Sequence, residues 1–407
     1  MKLVELDLSM IEIGEPLPFS LRDGEGVLLA KKGFVIKSKS DLKDLVDGGV
    51  GLFVAEAENV RRSYVNRLRD MIGSDQALGQ IANTQITAKD IHEDQEEEDE
   101  LPDWLDLQVQ TNSLLRDNTS PFFVERLDKI LGKLGRLTRH NPDGTLFALF
   151  HLSSNETGLY GATHALLVSS ICSIAAREVL RWPVEVERTL MRAALTMNIG
   201  MIELQDRLVR QVPAPTPEQR AQIKHHAMRS VQILKQLGIT DAVWLDTVLD
   251  HHSDTSGPLA SKTPAQRLAR LIARTDMFAA RLSPRASRTP VAPATAMQAC
   301  YFDENRKVDE AGAALIKAVG IYSPGSFVRL NTNEIAVVVR RGANTTAPRV
   351  AVLINRSGMP TTEPIIRDTG LHEYRIVASV PHREVKLKLN LQRMLPLTVG
   401  PGMDRAW

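Results

Sequence analysis

From residue 121 to about 320, apolar residues recur with the 3.6-residue period of an amphipathic helix. The runs are Phe122–Leu137, His164–Val179, Glu187–Leu208, Pro217–Leu237, Asp241–His251, Pro264–Arg281 and Val308–Val319. Prolines mark the breaks, at Pro183, Pro213-Ala214-Pro215, Gly257-Pro258 and Pro290–Pro293. After residue 320 the period drops to two. Ser326–Leu330, Ile335–Val339, Arg349–Ile354 and Tyr374–Ser379 are β-branched runs separated by Asn- and Gly-containing turns. The first 70 residues also read as short strands, at Val27–Ala30, Phe34–Ile36 and Gly51–Val54, with a short helix over Asp41–Leu45. Asp23-Gly24 and Lys32-Gly33 are the turns there.

Between these regions, Glu93 to Glu100 carries seven acids in eight positions. Like charges this dense repel and disfavour a packed fold. The expected organisation is therefore multidomain. A small N-terminal β-rich module spans 1–70, an acidic linker 71–120, a central all-α bundle 121–320 and a C-terminal antiparallel β module 321–400.

Composition narrows the class. The chain has 407 residues, 43% of them hydrophobic and 24% charged, enough for a sizeable core. Fifty Lys and Arg against 49 Asp and Glu give a net charge of +1, which argues against a DNA binder working through a basic field. Two cysteines, Cys172 and Cys300, exclude both a disulfide framework and a Cys-rich zinc site. The opening MKLVELDLSMIEIGEPL has early acids and no long apolar run, so no signal peptide is expected. No segment is apolar for the roughly 18 residues of a membrane span. The expected location is the cytoplasm.

The chemistry lies in polar residues on helix faces that should be core. His164 shares a stripe with Leu167, Val168, Ile171 and Ala175. His226 lies along one side with Ile223, Ser230 and Ile233, whereas His225 groups with Arg229 and Gln232 and faces out. Asp276 shares a face with Leu268, Ile272 and Ala279, which predicts burial, costly without a partner. His251-His252 closes another helix. Adjacent helical side chains diverge by about 100°, so the two reach one ion only at a helix end. Ser253–Pro258 supplies that end. A lone inward histidine is more often a hydrogen-bonded core residue than a ligand. Imidazoles and a carboxylate spread over consecutive helices of one bundle suit zinc, iron or manganese.

The order of these residues resembles the HD-GYP branch of the HD-domain metal phosphohydrolases, a family that hydrolyses cyclic di-GMP in bacteria. The resemblance covers residues 140–320. It rests on Tyr160-Gly-Ala-Thr-His164, on Ala193 to Met201, on Ile223-Lys-His-His226 and on His251-His252. It continues through Gly257-Pro258 and Thr275 to Ala280, followed by Ser283-Pro-Arg285. It implies metal ligands at His164, His226, His251, His252 and Asp276. The family's paired His-Asp falls at Met197-Asn198, its following Lys at Met201, and its Gly-Tyr-Pro is reduced to Gly257-Pro258 in a shortened loop. Arg285 and Arg288 stand where the family has an Arg-x-x-Arg stretch able to meet phosphate.

The departures have a physical consequence. A bridging carboxylate holds two cations about 3.5–4 Å apart to activate water. Asn carries no charge and coordinates weakly, and a Met thioether is a poor ligand for hard ions. The ion nearest His164 and Asp276 should be lost or severely weakened, whereas His226, His251 and His252 can still hold one. The cofactor is then one divalent transition metal (iron, manganese or zinc) or none. Three functions stay open. One is a degenerate HD-GYP-type protein that binds cyclic di-GMP or a signalling protein with little or no phosphodiesterase activity. The others are a phosphodiesterase with a reduced metal site and a purely structural interaction module, in which Met197, Asn198 and Met201 simply pack.

Overall fold

The computed structural model describes residues 102–400, except 156–157, 254–255, 287–290, 386 and 388. It also describes residues 4–5, 17, 21–22, 28–30, 36 and 53–54. The acidic run, and the expected Asp41–Leu45 helix, lie outside the described residues. By contacts the chain forms two units, Met1–Glu98 and Asp99–Trp407. In the first, β1 (Val4–Glu5), β2 (Leu21–Arg22), β3 (Leu28–Ala30) and β4 (Phe53–Val54) form an antiparallel sheet in the order β1-β4-β2-β3.

The second unit is mostly helical and ends in a five-stranded antiparallel sheet. Its first helix, α1 (Trp104–Arg116), falls inside the stretch expected to be linker. Asp103 caps it by accepting from Asp106 N, and Trp104, Leu107, Leu114 and Leu115 are buried. The buried Gln108 donates to Thr163 Oγ1 at 2.6 Å. The described part of 71–120 is thus folded onto the helical core, because its apolar stripe lies beyond the acids.

Helices α2 (Phe123–His140), α3 (Pro142–Asn155) and α4 (Tyr160–Ile174) follow, with a π turn at Ala175–Val179. Every residue of α4 is buried, so it runs through the middle of the bundle. Its start has no cap of its own. Asp206, itself buried, accepts from Gly161 N at 2.7 Å and is held by Arg116.

The expected continuous helix over Glu187–Leu208 is broken. The structure has α5 (Val184–Thr196), a 3-10 turn at Ile199–Met201, and α6 (Ile202–Arg210). Asn198 sits outside regular helix at the start of that turn, and its carbonyl accepts from Met201 N at 2.9 Å. Met191, Ala194, Leu195, Asn198 and Ile202, which would share one face of a continuous helix, therefore do not form a single helical stripe.

The next three helices start on strong caps. In α7 (Pro217–Gln236), Thr216 and Gln219 form a capping box with Pro at the first turn. In α9 (Pro264–Leu282), Thr263 and Gln266 do the same. Between them, α8 (Ala242–Asp250) starts where Asp241 accepts from Trp244 N at 3.0 Å. Each such cap contributes about 1 kcal/mol and fixes where the helix begins. That in turn fixes where His226, His251 and Asp276 point. α10 (Pro293–Tyr301) and α11 (Glu310–Val319) complete the bundle.

The sheet orders β8-β7-β6-β5-β9, from β5 (Phe327–Leu330), β6 (Ile335–Arg340), β7 (Arg349–Ile354), β8 (Pro360–Asp368) and β9 (Ile376–Val380). Alternate residues go to opposite faces. Phe327, Val337, Val339, Ala351 and Leu353 join the helical core. Val328, Leu330, Ala336, Val338, Val350 and Val352 form a smaller core with Tyr322, Tyr374 and Ile376. The boundary expected at residue 320 thus separates helix from strand, and the main core continues across it. Arg341, just after β6, donates to Asp143 at 2.6 Å and Glu178 at 2.9 Å, fastening the sheet to α3 and the π turn. Among the described residues, no helix is long and apolar enough to cross a membrane.

Candidate metal centre

Helices α7 and α8 bring three histidines together. Ligand-capable atoms of His226, His251 and His252 all lie within 4.8 Å of one another. His226 comes from the middle of α7. His251 is the C-cap of α8, and His252 follows in the turn, so the helix end lets both rings face one point, 4.0 Å apart. His226 and His251 are buried, and His252 is exposed.

The hydrogen bonds fix the tautomers. His226 Nδ1 is 2.6 Å from Ile223 O, and His251 Nδ1 is 2.7 Å from Val248 O. A carbonyl only accepts, so each Nδ1 carries the proton. Both Nε2 atoms of the neutral rings are then bare lone pairs, and they face each other at 3.1 Å. Two lone pairs at that distance repel unless a proton or a metal ion sits between them. Protonation is disfavoured. Burial, reinforced by the neighbouring His252, pushes His251 down to about 3, and burial also lowers His226. Nitrogens about 2.0–2.1 Å from one ion at a tetrahedral angle stand about 3.3 Å apart, close to what is seen. A ring whose second nitrogen donates to a carbonyl is the usual setting of a metal-bound histidine. The donor set fits one borderline divalent ion.

At the second expected position, the two residues predicted as ligands pair with each other. His164, on α4, is buried, and its Nε2 lies 2.7 Å from Asp276 Oδ1 on α9. His164 Nδ1 is buried with no hydrogen-bond partner among the described residues. Asp276 was expected to be buried but is about one-fifth exposed. Burial alone would raise its carboxyl. The His164 hydrogen bond and the charges of His164, His251 and His252 outweigh this and hold it below the ordinary range. Asp276 is thus electrostatically coupled to the three-histidine cluster without belonging to it.

The remaining expected positions surround this region. Met197 is buried, and Asn198 and Met201 are half-buried. Met197 O accepts from Ser230 Oγ at 2.8 Å, one turn along α7 from His226. Arg285 lies beside the buried Tyr160, whose ring stacks on His164 at 5.7 Å. Arg288 lies outside the described residues. Sequence reasoning did not single out Ser230, Trp244 or the direct His164–Asp276 contact. The last joins positions 112 apart. The lone inward hydroxyl of Ser230, one turn past His226, was the available signal for the first.

Comparison with known proteins agrees with the sequence resemblance. The chain is 26% identical over 227 residues to the cyclic di-GMP phosphodiesterase PA4108 of Pseudomonas aeruginosa. The match covers 54% of this chain and 54% of that relative, so the chain spans about half the length of the curated protein it matches. No protein-family model matches the chain. Among solved structures, it is similar to Bd1817, an HD-GYP-type protein from Bdellovibrio bacteriovorus. The TM-score is 0.39 at 16% identity, covering 78% of this chain and 99% of that one. The sequence match thus points the same way as the residue pattern, toward similarity with a cyclic di-GMP phosphodiesterase.

Proposed function

We propose that this chain is a degenerate member of the HD-GYP branch of the HD-domain phosphohydrolases, acting in cyclic di-GMP signalling with a one-ion site at His226, His251 and His252. It binds the nucleotide or a signalling partner and hydrolyses cyclic di-GMP slowly or not at all. The observation that carries the reading is the pair of unprotonated Nε2 atoms facing each other at 3.1 Å, each ring locked by a carbonyl.

The chain's own residues set what this site does. His226 and His251 hold an ion from inside, and exposed His252 leaves its outer side open to solvent. The chemistry that such an ion would supply is a lowered pKa for bound water and polarisation of a phosphoryl oxygen. Nothing at Met197-Asn198 supplies the bridging charge of a second ion. Asp276 keeps its negative charge near the cluster through the His164 hydrogen bond, which offsets part of the site's positive charge. Arg285 and Arg288 are the cations expected to meet phosphate. A divalent transition metal (zinc, iron or manganese), a cytoplasmic location and the separate roles of residues 1–70 and 71–120 belong to the same proposal.

A working phosphodiesterase on this reduced site is the second reading, favoured by the sequence match to a cyclic di-GMP phosphodiesterase. Elemental analysis of the purified chain, paired with cyclic di-GMP hydrolysis in added manganese or iron, separates the two. Turnover on the order of 1 per second, ordinary for an enzyme, would favour the second. Metal content without turnover supports the first.

A further inference from the structure

The segment Thr196–Gly200 touches both helices that carry the buried histidines. Toward α7, the fully buried Ser230 hydroxyl donates to Met197 O at 2.8 Å and accepts from Gly200 N at 3.0 Å. The backbones are closer still. A Cβ placed on Gly200 would stand 2.7 Å from Ser230 N and 2.9 Å from His226 O. Both are helix backbone atoms, so no side chain can swing aside to make room. The carbonyl approached is that of the ligand residue itself. Toward α8, Trp244 Nε1 donates to Thr196 Oγ1 at 3.0 Å. The Thr196 hydroxyl gives its own proton to Arg192 O at 2.7 Å, so its lone pair is free to accept. The Arg192 guanidinium lies over the Trp244 ring, 5.7 Å from its centroid. Trp244 is buried and lies on the same helix as the C-cap residue His251.

We infer that Thr196–Gly200 is a bracket that sets the register of α7 against α8, and so the approach of His226 Nε2 to His251 Nε2. Ser230, Gly200 and Trp244 are its positioning residues; none of them is a ligand. The turn has no ligand of its own at Met197 or Asn198, yet its backbone and its two side-chain anchors align the histidines of the neighbouring helices. A shift of a few tenths of an ångström at Gly200 passes straight to His226, because the contact is backbone to backbone. This inference rests on the one-ion reading.

The test is cobalt(II) binding to the full chain at 25 °C, followed by the visible absorption bands of the bound ion and by its dissociation constant. Gly200→Ala, Ser230→Ala and Trp244→Phe are compared with Ser230→Thr, which keeps the hydroxyl. Leu127→Ala, a fully buried core truncation on α2, reports destabilisation alone. Ser230→Ala, Gly200→Ala and Trp244→Phe are expected to weaken cobalt by about tenfold or more, the range found for groups that orient metal ligands, and to change the bands. Ser230→Thr and Leu127→Ala should keep the wild-type bands and affinity, although Leu127→Ala melts lower. If Gly200→Ala fails to fold, Ser230→Ala and Trp244→Phe still carry the comparison. Unchanged bands and affinity in those two variants overturn the bracket and leave the one-ion reading standing. Failure of the wild type to take up cobalt overturns the one-ion reading, and the bracket with it.

Discussion

Replacing Asn198 by Asp asks whether a vacated second position still has the shape of a metal site. Asn198 is half-buried and starts the 3-10 turn at Ile199–Met201, with Met201 N donating to its carbonyl. An unpaired, partly buried charge there costs about 1–3 kcal/mol. The metal-free Asn198→Asp protein should therefore be about 1–3 kcal/mol less stable than wild type. At about 2–4 °C per kcal/mol for a unit of this size, melting falls by roughly 2–12 °C. A divalent ion that binds only the folded state restores about 2.7 kcal/mol when present at 100 times its dissociation constant. Met197→His with Asn198→Asp adds an imidazole beside the new carboxylate and should respond more strongly. The assay is thermal melting of wild type, single and double variants, with and without manganese. A manganese-dependent rise in the variants, larger than in wild type, supports a vacated second site. If neither variant responds more than wild type, His164, Asp276 and Asn198 are core features and the reasoning fails.

Three further outcomes follow from the same geometry. His251→Ala with His252→Ala should remove stoichiometric metal, and equilibrium dialysis against zinc reads this directly; retention of one equivalent would place the ion elsewhere. Burial holds His251 down near 3, so the metal-free unfolded chain takes up protons below about 6.5 that the folded chain does not. Stability is then fully present above pH 6.5 and falls as pH drops toward 3. Urea midpoints of chelator-treated protein should show this slope, and His251→Gln should flatten it; an equal slope in that variant would assign the protons to other groups. Buried Glu187 accepts from Ser173 Oγ and from Arg177 at 2.9 Å, so Glu187→Ala should cost about 1.5–3 kcal/mol in urea unfolding without altering metal content. A loss below about 0.5 kcal/mol would show that the network carries nothing.

The sequence made the three-histidine cluster legible because its signals are local. Helical spacing turned His226 inward, and the helix end at Ser253–Pro258 let His251 and His252 converge. Strong caps at Thr216, Asp241 and Thr263 fixed the three helix starts. What stayed hidden was long-range or aperiodic. In α3, Thr145 to Phe150 are all buried, so no stripe stands out against a polar face. Strand β8 lies on a sheet edge, carries Pro360 and Pro364, and alternates poorly, so it did not read as a strand. The break in Glu187–Leu208 depends on Gly200 meeting the α7 backbone, a contact that apolar period does not encode. The closure of His164 on Asp276 is likewise tertiary. Each residue alone reads as a ligand, and only their 2.7 Å contact shows them as partners.

The central claim is a single ion held by His226, His251 and His252, with the second position closed. Its most direct measurement is metal stoichiometry on the full chain. The metal is stripped by chelator and rebuilt with zinc, iron or manganese, and content is read by elemental analysis in wild type, His251→Ala and Asp276→Asn. The account predicts about one equivalent in wild type, none in His251→Ala, and one retained in Asp276→Asn. Two equivalents in wild type, or loss of the ion in Asp276→Asn, would contradict it.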